Sequence, residues 1–196
     1  MRKLLLLTSL ILLFVGIPAQ AATVQYDETG RIVGALGVDV SGVRYDVLFL
    51  EGSCVSLASG CDESSDFVFQ SSSQANAASW ALINQVFIGG NLGPVDNTYG
   101  CDDPAYCGAV SAYWQDGTVG GSMASRQDQG GAIATGVSWF TLDSGYENLS
   151  SADYTYLTGA VWSVATVPVP AAAWLFGCGL LGLVLSSRPR PAATPV

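Results

Sequence analysis

The body of this chain reads as α+β, a mostly antiparallel twisted sheet with one packed helix, and three observations carry that reading. Two turn dipeptides, Ser41-Gly42 and Asp116-Gly117, each lie between runs of alternating apolar residues, the pattern of a β-hairpin. One stretch alone, about 73–88, changes to a helical period. Further alternating runs follow it, for a total of about seven or eight strands. A β-sandwich with one short helix is the alternative arrangement.

Met1-Arg-Lys3 is a basic start, and Leu4–Ile17 is apolar apart from Thr8, Ser9 and Gly16. Pro18-Ala-Gln-Ala21 then places small residues, Ala19 and Ala21, before a cut, so residues 1–21 read as a signal peptide cleaved after Ala21. The body is then 22–166. Only Arg31, Arg44 and Arg126 stand there against all sixteen acids, a net charge of −13 compared with −9 for the whole chain. Such a surface repels polyanions and excludes a nucleic-acid partner. The chain has no histidine, which removes Ser-His-Asp and Cys-His chemistry and the usual zinc ligands other than cysteine.

Within the body, Ile32, Gly34, Leu36, Val38 and Val40 form one face of a first strand, and Tyr45, Val47 and Phe49 one face of its return. Phe67-Val-Phe69 reads as a short third strand. Over 73–88, Ala75, Ala78, Trp80, Leu82, Ile83, Val86 and Phe87 fill one arc of a helix, with Ser71–Ser73 as N-caps and Gly89-Gly90 as a stop. Val110, Ala112 and Trp114 lead into Asp116-Gly117, and Thr118–Ser125 returns. Ile133–Trp139 and Tyr154–Val164 alternate again.

Four of the five cysteines form two close pairs, Cys54-x6-Cys61 and Cys101-x5-Cys107. In an exported chain this spacing points to disulfides. Of the three connectivities, the local one is preferred, because each pair brackets a loop with turn-forming residues. A zinc site would need Cys-x2-Cys spacing or histidines. Cys178 stands apart in the apolar C-terminal run.

Val167-Pro168-Val169-Pro170 ends the body. Pro170 cannot donate to a strand ladder, and each proline holds the residue before it extended. The charge-free stretch that follows gives a transmembrane helix over 171–187, about 25 Å long at 1.5 Å per residue. Arg188 and Arg190 form a basic end that stays cytoplasmic, with a tail at 191–196.

Pro-Val-Pro-Ala-Ala-Ala-Trp-Leu-Phe-Gly, the Leu/Gly-rich run and the arginines behind it resemble the PEP-CTERM sorting signal, with Val169 in the position often held by Glu. The resemblance covers about 25 residues at 167–190. It implies a Gram-negative bacterium, export through the translocon with signal peptidase, and a transient stay in the inner membrane. It further implies cleavage by an exosortase-like membrane protease and a final place at the cell surface or outside the cell, in bacteria that make exopolysaccharide.

The body itself holds no motif for catalysis, cofactor or metal. The doublets Asp62-Glu63 and Asp102-Asp103 sit in loops as turn residues, and Gly117–Gly121 lacks the lysine of a phosphate loop. Tyr99, Tyr106, Tyr113 and Trp114 are candidates for a sugar-stacking surface. The reading is therefore a non-enzymatic surface or matrix protein. The rivals are a carbohydrate-binding module for polysaccharide and a carboxylate-dependent hydrolase, which would need two converging acids.

Overall fold

The computed structural model describes residues 21–88, 94–130, 133–142 and 153–166, without the side chains of 139–142. The chain divides between Ala165 and Thr166 into two units, and every element below belongs to the first. The signal peptide apart from Ala21, the Gly89-Gly90 stop, the 167–170 motif, the 171–187 helix, Cys178, Arg188, Arg190 and the 191–196 tail lie outside the described residues. Among the described residues, no helix is long and apolar enough to cross a membrane.

The strands are β1 (Thr23–Tyr26), β2 (Ile32–Val40), β3 (Val43–Leu50), β4 (Tyr106–Gln115), β5 (Thr118–Asp128), β6 (Ile133–Leu142) and β7 (Leu157–Val164). A helical turn α1 (Cys54–Leu57), a 3-10 turn (Ser64–Asp66) and helix α2 (Ser72–Gln85) lie between β3 and β4. All seven strands belong to one mixed sheet in the order β1-β2-β3-β7-β4-β5-β6, so the fold is α+β and the sandwich alternative does not hold. Every pairing is antiparallel except that of β4 with β7.

Both hairpins turn at the expected dipeptides. Ser41 (φ 54°) with Gly42 (φ 88°), and Asp116 (φ 53°) with Gly117 (φ 80°), hold positive φ at both central positions, whose twist suits the flanking strands. Alternation in β2 is broken by a bulge. Ala35 pairs with Val47 and Val38 with Tyr45, a three-residue step against a two-residue step, and Gly37 takes φ 69°. Its N–H donates to the Asp46 carboxylate at 2.8 Å. The extra residue turns Leu36 outward and puts Ala35 in the core, which corrects the face expected from simple alternation. The β1–β2 turn is organised by Asp27 Oδ1, which accepts from the Thr29 hydroxyl at 2.7 Å, the Thr29 N–H at 2.8 Å and the Arg31 N–H at 2.9 Å.

Helix α2 starts where the serines place it, with Ser71 as N-cap accepting from Gln74 N–H, and its last turn closes at Val86. Gln115 Oε1 accepts from Ser72 N–H at 2.9 Å at one end. At the other, Gln85 exchanges hydrogen bonds with the Asp39 backbone at 2.7 and 2.9 Å. The buried line of the helix is mostly small, Ala75, Ala78, Ser79 and Ala81 around Leu82, and it packs in one core with Ala109, Tyr113 and Ala124 of β4 and β5. Small residues on both sides let backbone approach backbone. Trp80, at the margin of the arc, is too large for that contact and stays half exposed.

The expected third strand is instead a single bridge, Phe69 beside Tyr113. β7 pairs with β4 only over Gly108–Ser111. Beyond Ser111 the two strands part, and residues 67–69 fill the gap, the Phe69 carbonyl accepting from Trp114 N–H at 3.0 Å. Phe67 stacks on Trp114 (6.0 Å), whereas Phe69 joins Tyr45 and Trp162 (5.5 Å to each) in the main core. Trp162 Nε1 donates to the buried Ser111 hydroxyl at 3.0 Å, a bond between β7 and β4. Tyr154 and Tyr156 precede β7 rather than belong to it, and Val164 at its end is exposed.

Truncation of Trp162 removes an aromatic core, a cross-strand hydrogen bond and the lid on Phe69. Trp162→Ala is expected to cost about 3–5 kcal/mol, against about 0.5 kcal/mol or less for Leu48→Ala on the exposed side of β3, both read from urea midpoints. The Thr29 hydroxyl and the Arg31 N–H hold the Asp27 carboxyl below its ordinary range. A depressed folded value contributes stability above the unfolded value and loses it as pH falls through the folded one. The acid limb of a stability–pH curve should therefore be shallower in Asp27→Asn, and unchanged slope would remove this account of the turn.

Candidate functional site

The cysteines pair locally, Cys54 with Cys61 and Cys101 with Cys107, each with Cα atoms 5.6 Å apart. The first bridge closes a lobe that covers the sheet face opposite α2. Cys61, Phe67 and Val119 form a second small core there, and Leu57 lies against Gly159, where a Cβ would strike its side chain. The second bridge, with Val95, forms a third cluster under the loop that leads into β4.

Arg31 organises that loop. Its guanidinium donates to the carbonyls of Asp96 (3.4 Å), Thr98 (3.2 Å) and Cys101 (2.6 Å), pairs with Asp102 at 2.9 Å and lies over the Tyr99 ring at 6.0 Å. Ile32 and Tyr99 add backbone bonds across the same seam. These four polar contacts of Arg31 are made by one nitrogen, Nη2, so the loop is gathered around a single end of the guanidinium. Asp103 accepts from Ala105 N–H at 2.8 Å, and Asp66 accepts from the N–H groups of Asp62 and Glu63 at 3.2 Å. Both acidic doublets thus serve turns. Among the described residues, no three His, Cys, Asp or Glu side chains are grouped to hold a metal.

Arg126 on β5 is nearly fully buried, its guanidinium 5.9 Å from the Phe87 ring just past the end of α2. Burial pushes its pKa down and the Asp96 carboxylate opposes that; the group stays a cation. Its sequence clue was its rarity, one of three cations in the body, at a position alternating with Ala124 and Ser122.

The four aromatics proposed as a sugar-stacking surface do not share a face. Tyr113 is 5% exposed on the helix side of β4, whereas Trp114 points to the opposite side and stacks on Phe67. Tyr99 lies under Arg31, and Tyr106 meets Tyr156 edge-on at 5.9 Å. Alternation along a strand sends neighbours to opposite faces, which is why the quartet splits. The structure brings together a different group. A cleft of about 470 Å³ opens between the start of α2 and the β4–β5 hairpin, with Ser73, Asn76, Tyr113, Asp116, Thr118 and Gly120 in its walls. Gln115 ties the hairpin to the start of the helix through its bond from Ser72 N–H.

With both bridges formed, alkylation of the unfolded, unreduced protein should label only one of the five cysteines, Cys178. Mass spectrometry after proteolysis should recover 54–61 and 101–107 as linked peptides. Opening either loop by paired Cys→Ser substitution is expected to cost about 2–2.5 kcal/mol. A cross-linked 54–101 or 61–107 peptide would contradict the pairing. Compared with known proteins, the chain matches no family model, no curated protein and no solved structure.

Proposed function

We propose that the chain is an exported surface or extracellular-matrix protein, without catalytic activity of its own, whose C-terminal segment is a sorting signal for an exosortase-like membrane protease. The observation that carries this reading is the order of parts at 167–190: Pro168-Val169-Pro170, an uncharged Leu/Gly-rich run, then Arg188 and Arg190, in a chain that starts with a basic, apolar and small-residue export pattern ending at Ala19 and Ala21. Two local disulfides support it, since such bonds persist in oxidising compartments outside the cytoplasm.

The chemistry assigned to each part follows from its composition. The paired prolines keep 167–170 extended and short of backbone donors, so it presents unpaired carbonyls to a protease groove. The apolar run holds that segment in the bilayer with the protease, and the arginines keep its far end on the cytoplasmic side. The body, at −13, is repelled by anionic headgroups and so favours release into the aqueous side.

The test is the intact mass of the protein recovered from outside cells with and without the membrane protease. The expected product begins at Ala22 and ends near Pro170, with the full C-terminal segment retained in membranes of the protease-free strain. Replacing Pro168 and Pro170 by Ala should leave the protein in the membrane fraction. Identical masses in the two strains would rule the reading out.

A further inference from the structure

The cleft between α2 and the β4–β5 hairpin has the features of a binding site, and its strongest feature is Tyr113. This side chain is 95% buried by the core, and its hydroxyl, in the cleft wall, has no hydrogen-bond partner among the described residues. The oxygen is not one of the buried polar atoms shut off from solvent, so it can be reached from the cleft. Gly120 stands directly over the end of the ring, where a Cβ would collide with the ring and its oxygen, so the hairpin is cut away at the point where the hydroxyl emerges. Asn76, one turn into α2, also lines the cleft, its amide without a hydrogen bond among the described residues, and Asp116 adds a carboxylate at the hairpin tip.

We propose that this cleft binds a neutral saccharide. The volume, about 470 Å³, lies within the range of small-ligand sites, ~300–1,000 Å³. The polar groups in the wall are the Tyr113 phenol, the Asn76 carboxamide and the Asp116 carboxylate, which together can donate to and accept from a polyol, whereas the Thr118 hydroxyl already donates to the Gln115 carbonyl and the Ser73 hydroxyl already bonds that of Ser71. An anion is disfavoured on two counts. The first N–H groups of α2 are already taken, Ser72 by Gln115 and Gln74 by Ser71, and Asp116 and the surrounding −13 charge repel it. A divalent cation would want several oxygen ligands with more than one carboxylate, and the wall holds only Asp116. The same single acid suits retention of a sugar rather than glycosidic cleavage, which takes two. The proposal stands whether or not the C-terminal segment is removed.

The test uses the full chain in a zwitterionic detergent without sugar headgroups, labelled with ¹⁵N and titrated with maltotriose, cellotriose, laminaritriose and triacetylchitotriose, with trigalacturonic acid as the charged comparator. At least one neutral trisaccharide should shift the Asn76 side-chain amide and the Gly117 and Gly120 backbone amides saturably, with a Kd of ~0.1–5 mM. Tyr113→Phe, which keeps the ring, should weaken binding by about 3–10-fold. Asn76→Leu, on a half-exposed helix position that does not threaten the fold, should abolish it, and Leu48→Ala should leave it intact. No saturable shift at ~20 mM of any neutral sugar would overturn the proposal. So would binding that survives Asn76→Leu, or tighter binding of the charged comparator.

Discussion

The sheet depends on one seam, where β7, the last strand of the body, lies between β3 and β4. On either side of it stands a three-stranded antiparallel half, β1-β2-β3 and β4-β5-β6. The join to β3 is long, six register pairs from Tyr45–Val164 to Leu50–Gly159, but the join to β4 is four pairs and parallel. That weaker side is where side chains take over. Trp162 reaches across to Ser111, and Phe69 occupies the opening beyond it, closed by Tyr45 from the far half. Backbone pairing and aromatic packing are thus complementary along one line, each present where the other ends.

The two faces of the sheet are covered by different means. Helix α2 covers one face through small residues, so contact comes from close approach and many weak dispersion contacts rather than from large side chains. The opposite face receives a lobe with little regular structure, only one helical turn and a 3-10 turn, and there a disulfide limits the freedom of the unfolded loop. Gln115 and Gln85 tie the helix ends to a hairpin tip and to β2. The first of these ties spans the cleft, whose walls are a helix and a strand hairpin.

Much of this was legible in the chain because it is local. Ser41-Gly42 and Asp116-Gly117 state their turns in two residues, Ser71 states its cap, and the cysteine spacing favours near partners. What was not legible depends on residues far apart. Nothing near Leu36 announces that Gly37 will bulge and hand the core position to Ala35; the carboxylate that accepts from the Gly37 N–H, Asp46, is on the next strand. Phe67 and Phe69 alternate like a strand, yet they fill a gap whose existence depends on how far β7 follows β4. Tyr113 looked like a member of an aromatic surface because its neighbours in sequence are aromatic, and its burial against α2 assigns it elsewhere. Arg126 shows the same limit, a cation in a strand whose cover comes from Phe87. At the C-terminus the situation is reversed: the reading proposed for 167–190 rests on composition and order alone and needs no tertiary contact.

That the central strand is also the final one has a consequence for biosynthesis. A polypeptide delivered amino end first carries two incomplete half-sheets, with the open edges of β3 and β4 exposed, until residues 157–164 arrive to join them. No shorter product can close the structure, however stable its hairpins are. Completion of the body thereby waits for the last of its strands, and a chain terminated before it is left with bare strand margins that proteolysis or self-association can seize.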